Sequence, residues 1–302
     1  MKALLHTVLR RYFRSKINIL VLIAMPVLGI ISGMVAFEVL NTQEMYFHAD
    51  PYMYLLIAAM FLITAGIVLV IGSAFTDGII RLQCIHGNPK AQIALAHIIS
   101  ALLWSAVCGI LFLLPVRIFG NAYFAAHLTG RMMQVIPPLL MMFPVWSVLI
   151  AVLTLNIRHK AISSIVCIAL LLGLFIGCMR VNFQLDEPKY RTDFTTEYKY
   201  SDPKARADVE TKIVYLPNEW YIPKPARNYI EFAYLCDPLT PVPEVGSFLA
   251  NSADDYQSAD QFNKEIRSIH RARRKFLPVF QCFTILALSA AGTWLFRRRN
   301  LS

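Results

Sequence analysis

The sequence predicts an all-α polytopic membrane protein. It has six transmembrane helices, an N-terminal interfacial amphipathic helix, and a small extracytoplasmic α+β segment between the fifth and sixth helices. Three observations carry that reading. Of 302 residues, 57% are apolar and only 16% charged, whereas a soluble domain holds roughly 25% charged residues. Mean hydropathy is +0.51. The acidic residues are confined to Glu38, Glu44 and Asp50, to Asp77, and to the stretch Asp186–Glu265, which leaves long apolar runs between them. A soluble enzyme, a nucleic-acid binder and a disordered chain are excluded. The net charge of +10 is a topology signal, so no nucleic-acid partner is read from it.

Six apolar runs are long enough to cross about 30 Å of hydrocarbon. They lie near Ile17–Phe37, Tyr52–Phe75, Ile93–Leu114, Val135–Leu155, Ala161–Met179 and Phe276–Phe296. In lipid the backbone can satisfy its polar groups only within the segment, so each run is read as a helix. The fourth begins at Pro137 and Pro138 and carries Pro144, where a kink is expected. The first exceeds the apolar length of a signal peptide and is read as an anchor. Before it, Leu4, Leu5, Val8, Leu9, Tyr12 and Phe13 share one helical face, and His6, Arg10, Arg11 and Arg14 the other. That pattern predicts a helix lying in the interface, with its arginines toward lipid headgroups.

Charge sets the expected orientation. Lys2, Arg10, Arg11, Arg14, Lys16, Arg81, Lys90, Arg158, Lys160 and Arg297–Arg299 fall on the side that holds both termini. The positive-inside bias makes that side cytoplasmic in a cell membrane. Arg271, Arg273, Arg274 and Lys275 run against the bias. The organisation is then 1–16 interfacial helix, 17–179 five spans, 180–275 extracytoplasmic segment, and 276–302 last span with a basic tail. Within the outer segment, Thr192–Tyr200 and Lys212–Leu216 read as a strand pair. From Asp260 onward Phe262, Ile266 and Ile269 recur at helical spacing, which projects the last helix outward.

The chain contains no G-x-x-x-x-G-K-[ST], H-E-x-x-H or G-x-S-x-G motif. No catalytic residue, metal ligand set or cofactor site is nominated in it. The six predicted spans hold no Asp, Glu, Lys or Arg, whereas ion-coupled carriers need such groups at mid-membrane. His97 stands alone and is read as hydrogen-bonded packing. His48 and Asp50 are read as loop polarity. Cys236 is the only cysteine of the outer segment, so no structural disulfide is expected there.

Between the second and third spans runs Phe75-Thr-Asp-Gly-Ile-Ile-Arg-Leu-Gln-Cys-Ile-His-Gly-Asn-Pro-Lys. Asp77-Gly78 breaks a helix, Ile79, Ile80, Leu82 and Ile85 form a short apolar stripe, and Gly87-Asn88-Pro89 is turn chemistry. This segment resembles the membrane subunits of ABC-2 type ABC transporters, notably those of Gram-positive bacteria. Those carry an acidic residue followed by G-x-[IL]-R-x-x-[IL]-x-x-G-x-[SP]-[RK]. Asp77, Gly78, Ile80, Arg81, Ile85 (displaced by one), Gly87, Pro89 and Lys90 match most of it. Tyr234-Leu-Cys-Asp-Pro-Leu239 is similar to the family's N-P-L stretch, with Asp237 in place of Asn. Phe296-Arg297-Arg298-Arg299-Asn300-Leu301 is similar to its closing sequence.

The resemblance implies a permease that hydrolyses nothing itself. Its expected partners are a separate ABC ATP-binding subunit, which holds ATP and magnesium, a second permease chain, identical or related, and membrane lipids. Asp77–Lys90 would dock into the ATPase, and Arg10, Arg11, Tyr12, Phe13 and Arg14 would relay its movement. Export of hydrophobic or amphipathic cargo (peptide, lipid or drug) is the expected activity. The rival readings are a sensor that binds a ligand through the outer segment and a stand-alone secondary transporter.

Overall fold

The computed structural model describes residues 1–41, 49–123, 136–187, 189–199, 208–244 and 261–298. Glu44, His48, Val135, Tyr200, Asp260 and residues 299–301, named above, lie outside the described residues. In chain order the helices are α1 (Lys2–Arg14), α2 (Lys16–Asn41), α3 (Ala49–Thr76), α4 (Ile79–Ile85), α5 (Lys90–Tyr123), α6 (Ile136–Ile157) and α7 (Lys160–Asp186). Strands β1 (Tyr190–Lys199) and β2 (Asp208–Pro217) follow, then α8 (Lys224–Cys236) and α9 (Gln261–Arg298). Six of the helices contain stretches long and apolar enough to cross a membrane: Lys16–Met34, Met53–Thr76, Lys90–Ile118, Ile136–Ile157, Lys160–Asp186 and Ile269–Arg298. The chain is a multi-pass membrane protein.

Two compact units divide it. The first comprises Met1–Cys178 and Leu235–Ser302; the second is Met179–Tyr234. The chain from Leu235 onward belongs to the helical unit.

In the helical unit α6 is central, packed by α3, α5 and α9. Its residues Leu139, Phe143, Trp146, Ile150 and Leu155 are enclosed, and the Phe143 ring lies 5.8 Å from that of Phe112 on α5. The helix passes unbroken through Pro144. Its few polar groups are spent on partners. Trp146 Nε1 donates to Thr64 Oγ1 at 2.8 Å. Ser105 Oγ donates to Ser147 Oγ at 2.8 Å, and Ser147 Oγ donates back to the Pro144 carbonyl. These bonds tie α3 and α5 to α6 where no water competes. Around that centre, α2 packs on α5 and α3. It turns Leu20, Ile23 and Val27 outward, as a helix facing lipid does.

In the second unit, β1 and β2 pair antiparallel from Tyr190 opposite Pro217 to Lys199 opposite Asp208. This pair extends beyond the Thr192–Tyr200 and Lys212–Leu216 segments read from the sequence. Helix α8 is fastened to the last turns of α7. The Tyr234 hydroxyl donates to Asn182 Oδ1 at 2.9 Å, and Arg227 Nη2 donates to the Leu185 carbonyl.

The Trp146–Thr64 bond provides a direct check on this packing. Trp146→Phe and Thr64→Val in a double-mutant cycle, followed by unfolding of the detergent-solubilised protein, should give a coupling of about 0.6 to 1.7 kcal/mol. Strict additivity would remove the bond.

Candidate functional site

The segment that carries the family resemblance is a helix–turn built on two glycines. Gly78, at φ 67°, sits in the left-handed region, which only a residue without Cβ adopts at no cost, and turns the chain out of α3. The next seven residues form α4, beginning with Leu82 N–H to the Gly78 carbonyl at 2.9 Å. The helix closes on Gly87, at φ 81°. There Asn88 N–H donates to the Gln83 carbonyl at 3.2 Å and Gly87 N–H to the Cys84 carbonyl at 3.0 Å. That paired arrangement is the Schellman ending. Pro89 follows and its carbonyl accepts from Gln92 and Ile93, which starts α5 at Lys90.

The stripe on α4 splits. Ile80 is buried, but Leu82 and Ile85 are 52% and 71% exposed, and Arg81 is exposed as well. Two large aliphatic side chains one helical turn apart therefore project from a hairpin whose own fold does not cover them.

Helix α1 lies against this hairpin through polar and apolar contacts. Its apolar face does not rest only on lipid, as the sequence pattern implied. Leu4, Val8 and Tyr12 are buried where α1 packs on α5, and the Tyr12 ring is 6.1 Å from that of Trp104. Burial raises the Tyr12 phenol's pKa, against a smaller opposing pull from Arg11. Arg11 leaves the polar face that the helical wheel gave it. Its Nη2 donates to Ser73 Oγ at 3.0 Å and to Asp77 Oδ2 at 3.1 Å. Asp77 is thus tied to α1. Arg10 and Arg14 are exposed and Phe13 is half-buried.

The C-terminal end of α9 reaches the same end of the bundle, with buried Phe296 meeting Phe75 edge-on at 6.4 Å. Three separated features, the basic N-terminus, the Asp77–Lys90 segment and the closing Phe-Arg-Arg, converge there.

Beneath α1 lies a polar group that the sequence reading did not assemble. Asn18, His97, Ser100 and the Trp104 indole are all buried, and none of their side-chain polar atoms has a hydrogen-bond partner. The expectation that His97 is a hydrogen-bonded packing residue is not met: neither ring nitrogen has a partner. The signal was the i, i+3, i+7 spacing of His97, Ser100 and Trp104 along α5.

A second polar cluster lies in the stretch that is similar to the N-P-L sequence. Pro238–Glu244 is enclosed. Glu244 Oε2 is 2.9 Å from His270 Nδ1, and its Oε1 is 3.7 Å from Arg273 Nη1, all three side chains being buried. Arg273, which ran against the positive-inside pattern, therefore has an internal counter-ion. Thr284 Oγ1 lies 3.5 Å from the Cys236 carbonyl. The stretch from Cys236 to Glu244 thus runs alongside α9 from Thr284 back to His270, about 21 Å at 1.5 Å per residue. All six cysteines are free. No group of three or more His, Cys, Asp or Glu side chains that could hold a metal occurs among the described residues.

Comparison with known proteins returns nothing: no family model, no curated protein and no solved structure matches this chain.

Asp237 gives a pH signature. Burial raises its pKa from 3.8 to about 6, offset in part by the Leu239 N–H that donates to its Oδ1 at 2.8 Å. A carboxyl whose folded-state pKa lies above its unfolded value supports the fold fully below about pH 4 and loses that support as pH rises through about 6. Asp237→Asn keeps the acceptor and removes the charge. The variant should be more stable than the parent at pH 7, by on the order of 2–3 kcal/mol, and equal to it near pH 4. Thermal melts across that range check this; parallel pH profiles would contradict it.

Proposed function

We propose that this chain is the permease subunit of an ATP-driven transporter of the ABC-2 type, moved by a separate ATP-binding subunit that grips α4. The observation that carries the reading is the pair of exposed aliphatic knobs, Leu82 and Ile85, on a rigidly capped hairpin tied to α1 by Arg11 and Asp77. A short helix with an apolar i, i+3 pair suits insertion into a groove of a partner protein. A solvated loop has no reason to hold such residues outward on a fixed turn.

On this reading the termini and α4 are cytoplasmic and the second unit is extracytoplasmic. The nucleotide and its magnesium stay on the partner. ATP binding there would favour one arrangement of the hairpin over the other, the differential contact that any driven conformational change requires. The Arg11–Asp77 link would pass the movement to α1, and the Tyr12–Trp104 contact would pass it to α5. A second permease chain would complete a pathway lined by apolar and aromatic side chains, which suits export of hydrophobic or amphipathic cargo.

The test first looks for a phosphate-loop ATPase in the neighbouring reading frames, and then reconstitutes the purified chain with it. Leu82→Asp with Ile85→Asp should abolish complex formation and leave the melting temperature of the permease within a few degrees of the parent. Arg11→Ala should retain the complex and lose stimulation of ATP hydrolysis. Full transport by the permease alone, without nucleotide, would overturn the proposal.

Orientation has its own check. In variants that retain a single cysteine, Glu219→Cys should react with a membrane-impermeant maleimide on intact cells, and Cys84 only after permeabilisation. The reverse order would invert the topology.

A further inference from the structure

Buried polar side chains of the helical unit behave in two ways. Thr64, Ser105, Ser147 and Thr154 each return a hydroxyl to a carbonyl of their own helix, and the Trp146 indole donates to Thr64. Asn18, His97, Ser100 and Trp104 are just as enclosed, none more than 1% exposed. Yet their six side-chain nitrogen and oxygen atoms make no bond within the chain. An atom left in that condition has lost its hydration and gained nothing, so native interiors hold few of them, and bound water is a common reason where they occur.

The four lie together, all within the helical unit. His97, Ser100 and Trp104 follow one another along a single face of α5. A Cβ placed on Gly66 of α3 would stand 2.7 Å from Asn18 Oδ1 and 2.7 Å from Trp104 Cη2, so Asn18 and Trp104 meet at one point on α3. Farther along, Gly29 of α2 lies against the Phe112 carbonyl of α5. The two contacts advance in the same sense on both helices, so α2 and α5 run parallel. Going back from Gly29 to Asn18 on α2, and equally far on α5, leads from Phe112 to Ala101, between Ser100 and Trp104. Along α5 the group extends from about 10 Å to about 21 Å beyond Lys90, within the apolar stretch Lys90–Ile118.

The donor and acceptor set selects the occupant. The Trp104 indole only donates, the Asn18 amide and the Ser100 hydroxyl do both, and a neutral imidazole offers one of each. A metal cation would meet the Trp104 N–H, and an anion would meet Asn18 Oδ1. Water, which donates and accepts equally, suits a mixed and uncharged set. We propose that Asn18, His97, Ser100 and the Trp104 indole form an internal water-binding site where α2 meets α5. Buried waters typically make about three bonds, to groups that otherwise have no partner. Asn18, Ser100 and Trp104 supply that number on one level, and His97, a turn earlier on α5, extends the site toward Lys90. The Tyr12 ring, 6.1 Å from that of Trp104, brings α1 against the same place.

The experiment is X-ray radiolysis of the full-length chain in phosphatidylcholine nanodiscs, with oxidation read residue by residue by mass spectrometry. Radicals formed from a held water oxidise the side chain beside it even where bulk solvent does not reach. Trp104 and Trp146 are both 0% exposed and differ in that only Trp146 has a partner in the chain. Trp104 should be oxidised several-fold faster than Trp146; equal protection of the two would overturn the proposal. Asn18→Leu with Ser100→Ala removes two of the water's partners and should bring Trp104 down to the rate of Trp146. An undiminished Trp104 rate, with Trp146 still protected, would mean that radicals arrive from bulk solvent, and would overturn it as well. A rise at Trp146 would report loss of the fold in the double variant, and Ser100→Ala alone then makes the same comparison. No nucleotide or ATPase subunit is present, so the outcome is independent of the transport reading.

Discussion

A polar group surrounded by hydrocarbon can find a partner only inside the protein, because the solvent offers none. That constraint organises this molecule at every scale. It makes the apolar runs helices, since a helix satisfies its own backbone. It also favours specific pairings among polar side chains at depth: the Trp146 indole on Thr64, Ser105 on Ser147, and the Glu244 carboxylate between His270 and Arg273. The apolar faces fix little by comparison, since lipid receives Leu20 or Ile165 as readily as another helix would. The polar pairs choose which helix lies against which.

The same constraint distinguishes the two ends of the helical unit. At the His270 end, Glu244 is enclosed, and removing one partner would leave a charge without compensation in a dry setting, which costs several kcal/mol. At the Asp77 end the ion pair is half in solvent, with Arg11 26% and Asp77 56% exposed. An exposed pair of that kind contributes only about 0.2–1 kcal/mol. One end is locked, and the other is held by a contact that is easily remade. On the transport reading proposed above, a joint that changes partners during the cycle would belong at the second.

Much of this architecture was readable from the residues. Spans emerge from composition alone, because a run of about 20 apolar residues has one stable form in lipid. The Gly87 turn was legible because glycine followed by Asn-Pro has few conformational uses, and the Gly78 turn because Asp-Gly breaks a helix. What stayed hidden was long-range pairing. A helical wheel placed Arg11 with Arg10 and Arg14, since periodicity records which face a residue takes and not whether a carboxylate 66 positions away will draw it elsewhere. The split of the α4 stripe was hidden for a related reason: Ile80, Leu82 and Ile85 are chemically alike, and only the position of α3 and α5 decides which is covered. The buried group of Asn18, His97, Ser100 and Trp104 needed α2 to be placed beside α5 before its members could be neighbours.

That buried group also qualifies what kind of contact joins α1 to the bundle. Apolar contacts under an amphipathic helix tolerate sliding, because one methyl group replaces another at little cost. A seat containing Asn18, His97 and the Trp104 indole is directional: these groups reward one arrangement of donors and acceptors and penalise the rest. Tyr12 is buried above this seat, with its ring 6.1 Å from that of Trp104 and its hydroxyl without a partner. On the transport reading proposed above, a helix with a weak outer tether at Arg11 and a directional inner seat beside Trp104 would move between discrete positions instead of drifting. That discreteness is what a two-state transmission requires.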